Sequence, residues 1–274
     1  MNSLKPKKRS RLRIIAGMLY YRCKRYLEWY FSGKKYSKVL SDEALSYAVF
    51  SHKTPLLREL RNVDMWMQYN KVANLKIAVK RLDGALIKPG ETFSYWKLVG
   101  KPTKRKGYMD GMVLFNRGFR AGVGGGLCQL SNLIYWMALH TPLIVTERYR
   151  HSFDVFPDSN RTQPFGSGAT CAYNHRDLQL YNNTNDTYQL KLYMDSENLH
   201  GEWRSTKEAK SRYEVYEGDH HISHEFWGGY VRHNTINRKE YDLEGVLLMD
   251  EFLTENHAVM MYQPFLSESS STSL

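Results

Sequence analysis

Apolar and polar positions alternate along this chain in ways that predict a run of helices followed by strands. From Ile14 to Phe31 apolar residues interleave with cations. At about 100° per residue Ile14, Ile15, Met18, Leu19, Tyr26, Trp29 and Tyr30 share one broad arc, with Arg22 and Arg25 intruding on it. Ser41-Asp-Glu before Ala44 to Phe50 predicts a capped helix with acids in its first turn. Asp64 to Leu82 predicts a longer helix, its apolar side formed by Trp66, Tyr69, Val72, Ala73, Leu75, Ile77 and Val79, with Asp83-Gly84 as its stop. Leu127 to Leu139 is almost continuously apolar and is halted by Thr141-Pro142, which predicts a buried helix.

Strand-like stretches separate and follow these helices. They are Ala85 to Ile87, Met112 to Phe115 with a turn at Asn116-Arg-Gly118, and Leu143 to Tyr149, whose β-branched residues predict a central strand. After a loop at 157–168 come Ala169 to Tyr173, Asp177 to Tyr181 and Thr187 to Met194, the last two joined by a hairpin turn at Asn182-Asn-Thr-Asn185. The fold class is therefore α+β: N-terminal helices, then a cysteine-bearing helix packed on a mainly antiparallel sheet in the papain-like order cysteine, histidine, polar group, then a small β-rich appendage. The division expected is a basic arm at 1–38, a core at 39–199, a charged linker at 200–212, the appendage at 213–265 and a polar tail at 266–274.

Charge changes this picture in one place. Residues 1–38 carry twelve Lys and Arg against the single acid Glu28, which accounts for the whole net charge of +11. The remaining residues are balanced, so nothing in the body argues for nucleic-acid binding. Basic residues among Trp and Tyr in 1–38 suit the surface of an anionic membrane, so a cytoplasmic protein peripheral to the inner membrane face is expected. No apolar run reaches the length of a membrane span. Three cysteines make no disulfide framework.

Candidate chemistry centres on Gly122-Val-Gly-Gly-Gly-Leu-Cys128-Gln-Leu-Ser. Glycines permit positive φ and close approach, and a thiol in a helix's first turn feels the positive end of the helix dipole. His151, just past the Leu143–Tyr149 strand, is the base candidate, and by strand alternation it shares a face with Glu147 and Tyr149. Asp177 is the candidate orienter of the imidazole, with Asp154 and Glu147 as alternatives. Gly124, Gly125 and Gly126 offer N–H groups to an oxyanion, while Gln129, Glu91 and Arg148 are candidate binding groups. The same Gly-rich turn is also a possible phosphate cradle, but it lacks the Lys-Ser/Thr of a P-loop, and no cofactor motif is present. Cys128, His140, His151, Cys171 and His175, or His220, His221 and His224, are metal-compatible residue types without a metal-binding spacing, so no metal is assigned.

Several segments resemble the VanW-like family. They are Asn70-Lys-Val-x-Asn74-Leu-Lys, Lys88-Pro-Gly-Glu-Thr-Phe-Ser-Tyr-Trp-Lys-Leu-Val99, Gly124-Gly-Gly-Leu-Cys-Gln-Leu-Ser-Asn132-Leu, His140-Thr-Pro-Leu143, Glu147-Arg-x-x-His151, and Asp177-Leu followed by Asn182-Asn-Thr184. They are collinear over about residues 65–195. The resemblance implies an association with glycopeptide resistance and the cell wall, and a cell-wall peptide or precursor as partner. It implies no settled reaction. A thiol hydrolase or acyl transferase is one expectation, and a non-catalytic binding or scaffold module is the other. One departure stands out: relatives often read Gly-x-Asp-Ala-Thr where this chain has Gly166-Ser-Gly168-Ala-Thr170.

Overall fold

The computed structural model describes residues 10–59, 63–115, 118–155 and 163–263. The Asn116-Arg117 part of the expected turn, the start of the expected 157–168 loop, and the tail from 264 onward lie outside these ranges. In chain order the first elements are α1 (Arg11–Phe31), β1 (Lys35–Tyr36), β2 (Tyr47–Pro55), α2 (Met65–Leu82), β3 (Ala85–Ile87), β4 (Glu91–Ser94) and α3 (Tyr95–Val99). Then come β5 (Asp110–Phe115), β6 (Gly118–Val123), α4 (Cys128–Ala138), β7 (Ile144–Glu147), β8 (Phe153–Asp154) and β9 (Gln179–Tyr181). The chain closes with β10 (Tyr188–Met194), β11 (Asn198–Ser205), β12 (Arg212–His224), β13 (Tyr230–Tyr241) and β14 (Leu247–Met260).

The strands form three four-stranded sheets, ordered β1-β4-β9-β7, β2-β11-β10-β3 and β12-β13-β14-β8, with β5-β6 a separate hairpin. Pairing is antiparallel except at β1·β4 and β8·β14, so the expected α+β class is the one found. Helix α4 lies on the second sheet. Leu130, Leu133, Ile134, Met137 and Ala138 are all buried, and a side chain at Gly201 of β11 would strike Met137 and Leu133. Trp203 of β11 is wholly buried and meets Phe93 of β4 edge-on at 6.3 Å, joining the first two sheets in one core. The long β12–β14 meander is fastened to the end of α4. Arg238 Nη1 donates to the carbonyls of Leu139 (3.1 Å) and Thr141 (2.9 Å), a cation at a helix C-terminus.

Several expectations are corrected by this arrangement. The segment Ala44–Phe50 is not a helix: it leads into β2, whose Tyr47 to Phe50 pair with β11. Its backbone is satisfied by a distant side chain, because buried Gln189 accepts from Leu45 N–H and donates to the carbonyls of Ser41 and Glu43. Strand β7 is an edge strand rather than a central one, and it ends at Glu147, so strand alternation does not carry on to His151. No hairpin joins β9 to β10. They belong to different sheets, and Asn182 braces the crossing by donating to the carbonyls of Ile87 and Asp186. Ala169 to Tyr173 is not a strand but makes one isolated bridge, Ala172 with Arg176. Residues 200–205 of the expected linker are core strand β11, which leaves 206–211 as the connection. In α2 the inward face is Met67, Gln68, Lys71, Asn74, Leu75, Ala78, Val79 and Leu82, while Trp66 and Tyr69 face solvent.

The β5–β6 hairpin delivers the glycine run to the foot of α4. Gly124 and Gly126 have φ of 75° and 87°, the region that favours glycine. Gly125 is constrained differently: a Cβ there would sit 2.1 Å from the carbonyl carbon of Gly111. Two backbones touch, and Asn74 of α2 holds them together, donating to the carbonyls of Gly125 (2.9 Å) and Met109 (3.0 Å) while accepting from Met109 N–H (2.8 Å).

This contact sets an order among the glycines. Gly125→Ala should cost about 3 kcal/mol or more in urea denaturation, because backbone rather than a side chain must move. Gly90→Ala, which has φ +75° with open space around it, should cost about 1–2 kcal/mol. Equal losses at the two positions would contradict the packing described.

Candidate functional site

Cys128 opens α4 and is half-buried. Its thiol points at the carbonyl of Cys171, 3.7 Å away, in donor geometry. Burial pushes the thiol up from its ordinary value; backbone N–H donation from Cys171, the positive charge of Arg176 and the residue's own N–H pull the other way and are outweighed. The first-turn position that should favour thiolate is therefore opposed by desolvation, and the resting group is a protonated thiol.

The glycine N–H groups are already spent. Gly124 donates to Met109, Gly125 to Gly122 and Gly126 to Met112. An oxyanion brought to this loop would meet N–H groups engaged in holding the turn. Beside the loop runs a buried lysine that spacing did not single out. Lys71 Nζ donates to Gln68 Oε1 at 2.6 Å, its stem lies against Gly126, and burial lowers its pKa to about 8.

His151 follows the end of β7. Burial, then the charges of Arg176 and Arg150, bring its pKa down to about 4, so the ring is neutral at physiological pH. Among the described residues its side chain makes no hydrogen bond, and the three carboxylates considered as its orienter are engaged elsewhere. Asp177, fully buried, accepts from Ser94 Oγ (2.5 Å), Trp96 N–H (2.9 Å) and Leu178 N–H (3.0 Å). Burial raises it to about 7, against the lowering effect of the Ser94 and Trp96 bonds. Glu147 pairs with Arg25 of α1 and accepts from Asp177 N–H. Asp154 accepts from Tyr262 Oη at 2.9 Å, with Arg232 at 3.8 Å.

The remaining candidates hold structure in place. Gln129 Nε2 donates to Thr54 Oγ1 and to the Pro55 carbonyl, each at 2.9 Å, and so ties α4 to β2. Glu91 accepts from Lys88 N–H at 3.0 Å, closing the Lys88-Pro-Gly turn. Arg148 lies over the Tyr135 ring and donates to the carbonyls of Gly166 and Gly168 and to Thr254 and Asn256, joining the 166–168 loop to β14. At Gly168 a Cβ would fall 2.7 Å from Asn132 Oδ1, which already accepts from Ala169 N–H. A larger residue there requires Asn132 of α4 to move.

What the fold does bring to the thiol and the imidazole is Arg176. It is exposed and forms no ion pair among the described residues, yet its charge acts on Cys128, His151, His175 and Tyr149. It sits in the short turn closed by the Ala172–Arg176 bridge, and its carbonyl accepts from Trp96 Nε1 at 2.9 Å. No spacing rule points to it, because the contact spans 48 positions from Cys128 and 25 from His151.

Comparison with known proteins identifies relatives of this chain. The model of a family described as VanW like protein matches residues 70–204. The vancomycin B-type resistance protein VanW of Enterococcus faecalis is 35% identical over 233 residues, covering 85% of this chain and 84% of that protein. The uncharacterized protein YoaR of Bacillus subtilis is 29% identical over 118 residues, covering 43% of this chain and 37% of that protein. No solved structure matches. On the strength of that end-to-end likeness, the chain belongs to the VanW-like family.

Proposed function

We propose that this chain is a binding protein associated with glycopeptide (vancomycin) resistance, and that it takes the anionic end of a cell-wall peptide or precursor at Arg176, beside Cys128 and His151. The association comes from the printed name of the Enterococcus faecalis relative. The observation that carries the site is Arg176, an exposed guanidinium with no acidic partner among the described residues, next to a neutral imidazole and a protonated thiol. A guanidinium fork suits a carboxylate or phosphate. Non-catalytic binding is favoured over thiol chemistry because burial moves the two proton affinities apart. The thiol is pushed up and the imidazole down, so both shifts oppose transfer from sulfur to ring. The thiol hydrolase or acyl transferase reading keeps one support: the charge of Arg176 acts on both Cys128 and His151, and a ligand that neutralised it or altered burial would change both groups.

Calorimetric titration with a soluble cell-wall stem peptide tests the binding reading. Arg176→Ala should weaken binding by about 1.5–3 kcal/mol, the range for a hydrogen bond to a charged group. The same peptide with its terminal carboxylate amidated should bind wild type and variant alike. Unchanged affinity in the variant would remove Arg176 from the site.

Alkylation separates the two readings. With the Cys128 thiol raised, iodoacetamide at pH 7 should label Cys128 more slowly than exposed Cys23, and the rate should keep rising past pH 9 as thiolate forms. His151→Ala should leave the neutral-pH rate unchanged. Rapid labelling of Cys128 at pH 7 that depends on His151 would favour thiol catalysis instead.

A further inference from the structure

Helix α1 is fastened at one end only. Its last turns pack on the body: Arg25 and Trp29 are 5% and 6% exposed, Arg25 pairs with Glu28 and Glu147 and donates to the Asn174 carbonyl, and Tyr26 Oη meets Tyr173 Oη at 2.8 Å. From Arg11 to Tyr21 no side chain hydrogen-bonds or ion-pairs with the body among the described residues, and all but Gly17 are exposed. At 1.5 Å per residue the helix is about 31 Å long, so roughly half of it stands clear. A free helical half of this length is marginal in water without something to pack on.

The inward face fixes which residues face out. With Arg25 and Trp29 turned to the body, a helical wheel at about 100° per residue puts Leu12, Leu19, Tyr20, Leu27 and Tyr30 on an outward arc of roughly 100°. Leu12 is 80% exposed, Leu19 62% and Leu27 59%. No acid lies on this arc, since Glu28 is turned toward Arg25, Lys34 and Tyr36. Arg13 and Lys24 line one edge of it, and Arg11 stands in the free half, while Arg22 is half-buried with its Nε turned into the body. The expected face is thereby rotated: only Leu19 and Tyr30 of it stay outward, Ile14, Ile15, Met18, Tyr26 and Trp29 leave it, and Leu12, Tyr20 and Leu27 join. No helix of the described residues is long and apolar enough to cross a membrane.

We infer that α1 lies along an anionic bilayer surface, its apolar arc entering the headgroup boundary and its flanking Arg and Lys residues meeting lipid phosphates. An apolar stripe bordered by Arg13 and Lys24, with Arg11 in the same free half and aromatics on the stripe, matches the electrostatic and apolar layers of such a surface. The inference stands independently of the ligand proposed for Arg176.

Sedimentation with lipid vesicles tests it, using the full chain. Wild type should pellet with vesicles of phosphatidylcholine containing about one third phosphatidylglycerol, and much less with phosphatidylcholine alone. Leu19→Asp with Leu27→Asp should lower partitioning by roughly tenfold or more. Arg13→Gln and Lys24→Gln should each lower it by roughly fivefold, and together should weaken its salt dependence. All four positions are exposed, so circular dichroism and the melting profile should match wild type. The proposal is overturned if wild type fails to pellet with the anionic vesicles, or if the Asp variants pellet equally well. It is also overturned if the protein self-associates through this face, with dimers lost in the Asp variants and no vesicle binding in any form. That last result would make a second copy the occupant.

Discussion

Two glycines in backbone contact, Gly111 in the β5–β6 hairpin and Gly125 ahead of α4, set the geometry on which the rest of the core relies. Because neither can carry a side chain, the hairpin can press against the helix start, and Asn74 of α2 reads the junction with three hydrogen bonds. Buried polar groups satisfied this completely specify one arrangement and penalise its neighbours. Helix α4 then enters the core with Cys128 aimed at Cys171 and with its apolar side against Gly201 of β11. The motif that looks chemical in the linear sequence is also the means by which three elements are brought into register.

That double role bears on how much was legible beforehand. The helices α2 and α4 and the strand at Ala85–Ile87 follow from local pattern, and the glycine–cysteine motif marks the correct neighbourhood. The segment before β2 misled because its backbone partners sit on Gln189, more than 140 positions away. Residues 200–205 looked like linker because charged residues alternate with His200, Gly201 and Trp203; the alternation is that of a strand whose inward residues are Leu199, Gly201, Trp203 and Ser205. In α2 the inward face holds Gln68, Lys71 and Asn74 beside the expected Leu75 and Val79, so a search for apolar residues missed the polar members and counted the exposed Trp66 and Tyr69. Arg176 and the buried Lys71 were invisible as site residues because only the tertiary fold brings them to Cys128 and its loop. The β-rich character of the last third was readable, but its anchorage through Arg238 to the end of α4 was not.

A second theme is the handling of buried charge. Arg25, Glu147 and Asp177 form a chain that runs from α1 through the edge strand β7 to the start of β9. The Asp177 carboxylate also accepts from Ser94 and from Trp96 N–H at the first turn of α3, so it ties β4 and α3 to the segment ahead of β9, while its backbone N–H reaches Glu147. Groups removed from water this fully must be paired or hydrogen-bonded, and removing one member leaves the others costly. The family model covers Glu147 and Asp177, and the structure supplies a reason for acids there that needs no reaction.

The Arg25 clamp has a geometric consequence for the whole molecule. A helix held by the Glu147 carboxylate and the Asn174 carbonyl, with Glu28 of its own next turn steadying the guanidinium, cannot spin about its own axis, so its outward stripe has a fixed azimuth relative to the sheets. Any surface that stripe rests on therefore meets the body in one orientation.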